Sequence, residues 1–252
     1  MRQLLRKIFP AALILCGPTL VVTIQVYLMN KTYEVPVISS TVRPTLQEVT
    51  WERVYQQSDI KALLKTAISL QPRSVQKQWT KSSIEEVVYV TDKLGYSSLG
   101  IDHYTALAII YHESGFKIDQ VTPNVDTDGT VLSNDYYLTQ QNSEVVSQRY
   151  YSLKSYLAKK ESDPALKTLL LQKMRGEFSV GKIKDPAVNV ALMFQTFREC
   201  KQILGKGSKN LHRMVLCYNS PAYAKRIRQN LIKKSSYVQA VLARRKQLID
   251  LL

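Results

Sequence analysis

A run of uncharged residues near the N-terminus constrains this chain more than any other feature. Residues 8–29 are 22 consecutive residues without a formal charge, and they follow the basic Arg2, Arg6 and Lys7. As a helix the run spans about 33 Å, enough to cross a hydrocarbon core of about 30 Å. Basic residues before such a span hold that end in the cytoplasm. We therefore predict a single-pass transmembrane anchor in the inner (cytoplasmic) membrane, with the rest of the chain on the periplasmic or extracytoplasmic side.

Two other interpretations of this run stay open. A cleaved signal peptide would need small residues at a cleavage site, and residues 26–29 (VYLM) offer none. A lipoprotein would be modified at Cys16, but Leu15 stands before it where a small residue is expected. We favour an uncleaved anchor.

The remainder of the sequence favours helices. Only 9 Gly and 9 Pro occur in 252 residues, and the stretches between them are rich in Leu, Ala, Lys, Gln and Arg. We predict a mostly α protein with a cytoplasmic stub and anchor at 1–29, a tether and a stalk or outer helix at 30–82, and a larger domain with a basic C-terminal helix at 83–252. A loop rich in Asp, Asn, Thr and Gly is expected over 115–142. The predicted helices cover residues 47–70, 84–94, 104–114, 143–160, 164–175, 186–204, 210–218 and 221–248, with Ser82 and Ser83 as the N-cap of the second.

Positive charge is concentrated at the C-terminus. Of the formal net charge of +15, residues 198–252 carry +11, because they hold thirteen lysines and arginines against Glu199 and Asp250. Such a segment attracts polyanions: nucleic acid, anionic lipid or a carboxylate-bearing wall polymer. No aromatic-rich RNA motif or glycine-rich phosphate loop accompanies it, so nucleic acid is not the expected partner.

One carboxylate stands out chemically. On a helix over 104–114, Glu113 shares a face with Ala106, Ile109 and Ile110. Desolvation and the negative end of the helix dipole would both raise its pKa. A carboxyl that stays protonated near neutral pH is what the cleavage of a glycosidic bond requires. The alternative is a glutamate that merely reaches solvent at a helix end.

Several short motifs follow one another along the chain. They are ESGF at 113–116, VTP at 121–123, DYYLTQQN at 135–142, DPAVNV at 185–190, YNSP at 218–221 and YVQAV at 237–241. In this order they resemble the catalytic domain of lytic transglycosylases, the goose-lysozyme-like family that cleaves bacterial peptidoglycan. The resemblance covers roughly residues 84–242.

The resemblance implies a lysozyme-like helical domain, a substrate and a set of roles. A membrane-anchored enzyme would cleave the MurNAc-GlcNAc β-1,4 bond of a peptidoglycan strand and form 1,6-anhydro-MurNAc. A cell-envelope secretion or motility complex would be its partner. Glu113 would be the single catalytic residue, first acid and then base. Tyr218 would orient it, Asn219 would hold the substrate, and Thr122 and Gln140 would line the cleavage point.

The chain departs from the family pattern at several positions. Tyr137, Met193 and Pro221 replace family glycines, Thr139 replaces a methionine, and an extra charged helical segment lies between Asn142 and Asp185. Two alternatives therefore stay open: a non-catalytic peptidoglycan-binding or scaffold module with the same fold, and an anchored protein whose basic C-terminal helix recruits lipid or nucleic acid.

The remaining candidates concern polar residues and cysteines. Asp119, Asp126 or Asp128 could supply a second carboxylate, which would favour hydrolysis. Asn189 is expected to be a buried polar residue that locks two helices. An oxidising compartment would permit a disulfide between Cys200 and Cys217, although the sequence does not set their separation. We expect neither a metal site nor a cofactor.

Overall fold

The computed structural model describes residues 57–221, 224–229 and 235–251. The predicted anchor and tether lie outside these residues. None of the helices in the described ranges is long and apolar enough to span a membrane.

The described part of the chain is mostly helical, as predicted. Its helices, numbered in chain order, are α1 (Gln57–Ser69), α2 (Arg73–Gln76), α3 (Lys81–Val90), α4 (His103–Ser114), α5 (Val146–Lys159), α6 (Pro164–Lys173), α7 (Val180–Ile183), α8 (Pro186–Leu204), α9 (Leu211–Asn219), α10 (Ala224–Arg228) and α11 (Ser236–Ile249). A π-helical segment, Thr91–Ser97, continues α3, and a 3-10 turn, Gly205–Lys209, follows α8.

Two helices form the centre of the domain, because most residues of each are buried. In α4 every residue from His103 to Ile110 is buried, and in α8 most residues are buried. Around α8 pack α3, α5, α9 and α10, whereas α11 lies along α4. Gly95 permits the closest approach in this core, since a Cβ there would lie 2.7 Å from the Phe194 ring.

The first helix belongs to the body of the domain. Ile60, Leu63 and Leu64 of α1 are buried, and the helix packs against α3. The helix α1 therefore shares one hydrophobic core with the helices that follow residue 83. Of the two interpretations offered for this segment, the outer helix is the one that the structure shows.

Two sequence predictions were wrong. The stretch 115–142 is not a plain loop, because β-branched residues on either side of the Asp126–Gly129 turn form an antiparallel sheet of β1 (Val121–Val125), β2 (Val131–Tyr136) and β3 (Gln141–Asn142). The predicted helix over 221–248 is interrupted, because Ser235 is extended at φ −153° and starts α11 afresh.

A smaller correction concerns the start of α3. Thr80, not Ser82 or Ser83, is the N-cap: its hydroxyl accepts a bond from the Ser83 backbone N–H, and the Ser83 hydroxyl accepts one from the Thr80 N–H. This reciprocal pairing satisfies two of the free N–H groups that every helix start exposes.

Candidate active site

Glu113 occupies the last turn of α4, at the end of a fully buried face. Ala106, Ile109 and Ile110, which share that face, are each 0% exposed, while Glu113 itself is partly exposed. The helix ends at Gly115, which adopts the left-handed conformation at φ +58°. As predicted, the Glu113 carboxyl lies at the C-terminal end of an apolar helix face.

The turn that follows Glu113 is fixed by the core. Phe116 has a positive φ of 63° yet is completely buried, and its carbonyl accepts a hydrogen bond from the Trp79 indole at 2.9 Å. A non-glycine residue with positive φ costs free energy, which burial of the ring must offset. The packing of Phe116 and Trp79 thus holds the end of α4, and Glu113 with it, in one position.

The hydroxyl that contacts Glu113 comes from α11. Tyr237 donates a hydrogen bond to Glu113 Oε1, and its ring meets His112 edge to face with centroids 4.9 Å apart. Arg245 anchors α11 to the start of α4, because its Nε donates to Asp102 Oδ1 and to Thr105 Oγ1, each at 3.2 Å. Asp102 is also the N-cap of α4. One helix pairing therefore sets both partners of the Tyr237–Glu113 contact.

Burial raises the pKa of Glu113 to about 7. The hydrogen bond from Tyr237 opposes this shift, and the negative charge of Asp135 adds to it. The direction agrees with the sequence prediction, and burial is its leading cause. At neutral pH a substantial fraction of this carboxyl keeps its proton.

Tyr218 lies beside Glu113 but has a different partner. Its hydroxyl donates to the Thr139 carbonyl at 2.8 Å, and the charge of Glu113 adds to the burial that raises the Tyr218 pKa well above its usual range. The predicted role of Tyr218, direct orientation of Glu113, falls in this structure to Tyr237. Tyr218 instead holds the loop between β2 and β3.

Thr139 connects that loop to the helical core. Its backbone N–H and hydroxyl both donate to Asn189 Oδ1 at 2.8 Å, and both residues are buried. The Asn189 amide also donates to the Ile183 carbonyl at 3.1 Å. Asn189 is buried as predicted, but it ties α8 to this loop and to α7 rather than only one helix to another.

The other predicted substrate-binding residues are more peripheral. Gln140 is partly buried, adopts a positive φ of 46° and donates to the Tyr137 carbonyl at 2.8 Å. Thr122 is exposed on β1 and accepts a bond from Gln120, and Asn219 is exposed at the end of α9 and donates to Ser220. Among the described residues, none of these three forms a hydrogen bond to Glu113.

Tyr137 has a backbone conformation that is unusual for a residue with a side chain. Its φ is +64°, in the left-handed region that favours glycine. The ring is buried in the core and lies tilted to the Tyr136 ring, with centroids 5.7 Å apart. Burial of the ring accompanies this strained conformation.

The three aspartates proposed as a second carboxylate are occupied elsewhere. Asp119 accepts from Gln78, and Asp126 and Asp128 accept from backbone N–H groups within their own hairpin turn. Asp135 on β2 is instead the carboxylate whose charge reaches Glu113, and it accepts from Asn142 at 2.9 Å. The sequence placed it in a matching motif, but only the hairpin brings it towards α4.

Two functional candidates were thus missed as such: Tyr237 and Asp135. Asp135 lies in the motif DYYLTQQN and Tyr237 lies in the motif YVQAV. Their positions in these motifs could have identified both as candidates. In the ranges that the structure describes, no group of three His, Cys, Asp or Glu side chains is placed to hold a metal ion.

Comparison with known proteins gives no relative. Neither the family models, nor the curated proteins, nor the solved structures contain a match to this chain. The functional argument therefore rests on the residues and their geometry.

Proposed function

We propose that this protein is a peptidoglycan lytic transglycosylase whose helical domain has the lysozyme-like, goose-type fold. The observation that carries the proposal is a glutamic acid with a pKa of about 7, partly exposed at the end of a buried helix and bonded by a tyrosine hydroxyl. The ordered motifs from residue 113 to residue 241 support the same enzyme class.

Glu113 supplies the proton that bond cleavage needs. Tyr237 occupies Oε1, so Oε2 carries the proton to the glycosidic oxygen as the bond from C1 of MurNAc breaks. The carbonyl oxygen of the substrate's own N-acetyl group bonds to C1 and takes up the positive charge that develops there. The leaving strand departs as an alcohol, and Glu113 is left as a carboxylate.

The carboxylate then acts as the base. It removes the proton from the C6 hydroxyl of the same sugar, O6 bonds to C1, and the N-acetyl oxygen is released. The product is a 1,6-anhydro sugar, and Glu113 is protonated again for the next cycle. No water enters the balance, so a second carboxylate to activate water is not required.

Asp135 favours a second reaction of the same site. A carboxylate whose field reaches Glu113 could hold a water molecule and turn cleavage into hydrolysis. Mass spectrometry separates the two outcomes, because the hydrolytic product is heavier than the anhydro product by one water.

The deciding experiment is digestion of purified cell walls by the wild type and by Glu113→Gln. This substitution keeps the size of the side chain and removes the transferable proton. We expect loss of at least about a hundredfold in rate, the size of a general acid's contribution. Equal rates would refute the assignment of Glu113. Glycan binding without any product, in both proteins, would support the non-catalytic peptidoglycan-binding or scaffold module instead.

The cellular setting remains part of the proposal. A single N-terminal anchor would hold the domain at the outer face of the inner membrane, within reach of the wall, where a secretion or motility complex must pass. Fractionation of cells that express the chain tests whether the protein is in the inner membrane. The mass of the purified protein then shows whether its N-terminus is intact, cleaved or lipid-modified.

A further inference from the structure

A concave surface lies between α5 and α8. It is an open groove with a volume of about 740 Å³, and polar side chains line much of it. One wall comes from the charged segment that the family resemblance does not account for, between Asn142 and Asp185. The residues that matter for its chemistry are Tyr151, Tyr156, Lys159, Lys160, Arg198 and Glu199.

Arg198 is held rigidly in this groove. Its guanidinium carbon lies 3.4 Å from the centre of the Tyr156 ring, and its Nη1 donates to Gln195 Oε1 at 2.7 Å. Its buried Nη2 has no hydrogen-bond partner among the described residues. Burial lowers the pKa of Arg198, which indicates that its charge is only partly compensated.

The carboxylates near Arg198 already have partners. Glu199 Oε2 accepts from Arg149 Nε at 3.3 Å, and its Oε1 accepts from Gln195 at 3.3 Å. Glu161 accepts from the Asp163 backbone N–H. Lys159 and Lys160 are exposed at the rim, and in the described ranges their ammonium groups form no ion pair. The groove therefore has an excess of positive charge.

Arg149 connects this groove to the catalytic region. It bonds to Glu199 on the wall of the groove, and its positive charge also acts on Tyr218, beside Glu113. Arg149 is thus the charged residue through which the wall of the groove and the surroundings of Glu113 act on one another.

We propose that the groove between α5 and α8 binds the carboxylates of the peptide stems that peptidoglycan strands carry. The proposal rests on the proposed function, since it places the peptide of the same substrate. The exposed ammonium groups of Lys159 and Lys160 can pair with carboxylates, the fixed positive charge of Arg198 beneath them adds attraction, and tyrosine faces cover the apolar parts of a short peptide. Nucleic acid, a polyanion without carboxylates, is the competing ligand.

Direct binding tests the groove without any cleavage step. The probe is an N-acetylated peptide of alanine, γ-linked glutamate and diaminopimelate, titrated into the full chain by calorimetry. Its fully amidated form and a short single-stranded DNA are compared. We expect Lys159→Gln/Lys160→Gln to weaken binding of the anionic peptide about threefold to tenfold, the effect of losing two exposed charge contacts.

Two further variants complete the design. Lys65→Gln/Lys77→Gln removes the same charge from exposed positions outside the groove and should leave binding unchanged. Arg198→Gln should weaken binding more than the lysine pair does. Arg198 is packed in the fold, so Arg198→Gln could lose stability as well as binding. In that case the exposed rim variant, Lys159→Gln/Lys160→Gln, tests the binding of the peptide.

Digestion separates this proposal from the proposed function. The rim variant should raise KM for intact walls and leave KM for strands stripped of their peptides unchanged. If Glu113→Gln digests walls as well as the wild type does, the enzymatic proposal fails while the peptide titration still decides the groove. The groove proposal is overturned if the wild type does not bind the anionic peptide, if the rim and control variants behave alike, or if DNA binds more tightly than the peptide and loses affinity in the rim variant.

Discussion

Glu113 keeps its proton because the fold desolvates it and Asp135 repels its charged form. Its pKa rises from 4.5 to about 7, so the folded protein holds this proton more tightly than the unfolded chain. Below pH 4.5 the carboxyl is protonated in both states and does not reduce the free energy of unfolding. As the pH rises from 4.5 to about 7, the unfolded chain loses this proton first, and the free energy of unfolding falls by roughly 3 kcal/mol. Burial of Glu113 therefore lowers the stability of the folded protein at neutral pH, and in the proposed mechanism the same burial keeps the carboxyl protonated.

The two tyrosines near Glu113 should respond differently to loss of the hydroxyl. Tyr237→Phe removes the hydrogen bond that lowers the Glu113 pKa, so the alkaline limb of the pH–rate profile should move to higher pH. The rate should also fall about tenfold to a hundredfold, because the carboxyl loses its fixed orientation. Tyr218→Phe should leave the limb in place and lower the free energy of unfolding by about 1 to 2 kcal/mol, because the Thr139 carbonyl loses its donor.

Measurement of pH–rate profiles and urea unfolding for both variants checks this contrast. If Tyr218→Phe moves the alkaline limb and Tyr237→Phe does not, the assignment of roles is reversed.

At the residue scale the sequence predicts the acid but not its partner. Glu113 is predictable because helical spacing places it on a continuous apolar face. Tyr237 is 124 positions away, and only the packing of α11 along α4 brings the two together. Local periodicity does not encode a pairing of that separation.

Among the elements, α8 and α9 are joined covalently beside Tyr218. Cys200 and Cys217 form a disulfide with Cα atoms 5.9 Å apart, which is the pairing that the sequence analysis left open. A cross-link over 17 residues stabilises the folded state by about 3 kcal/mol, chiefly through the entropy of the unfolded chain.

The variant Cys200→Ala/Cys217→Ala should therefore unfold at lower urea concentration, with a loss of about 3 kcal/mol. Its activity at low temperature should stay near that of the wild type, since neither sulfur contacts Glu113. Urea titration with parallel activity assays checks both parts. An unchanged unfolding midpoint would show that the bridge does not form in solution.

Element boundaries follow the sequence where capping is local. The helix α8 spans Pro186–Leu204 as predicted, because Asp185 caps it, Pro186 starts it and Gly205 follows it. The sheet over 121–142 was not predicted, because its three short strands are separated by many residues that favour turns. The break before α11 has no Pro or Gly to announce it.

For the whole molecule, the class of fold follows from composition, whereas the arrangement of the site does not. A low content of Gly and Pro predicts helices, but the groove between α5 and α8 and the contact of α11 with α4 arise from tertiary packing. The net charge of +15 attracts polyanions in general and selects none of them. Only the tertiary structure places Arg198 and Lys159 on the same groove.

The most direct test of the central claim is the rate of wall cleavage as a function of pH, with Glu113→Gln as reference. We predict a wild-type rate that is steady on the acid side of neutrality, falls by half near pH 7 and continues to fall as Glu113 loses its proton. Cleavage that persists undiminished at alkaline pH, or a Glu113→Gln variant with the wild-type profile, would contradict the account.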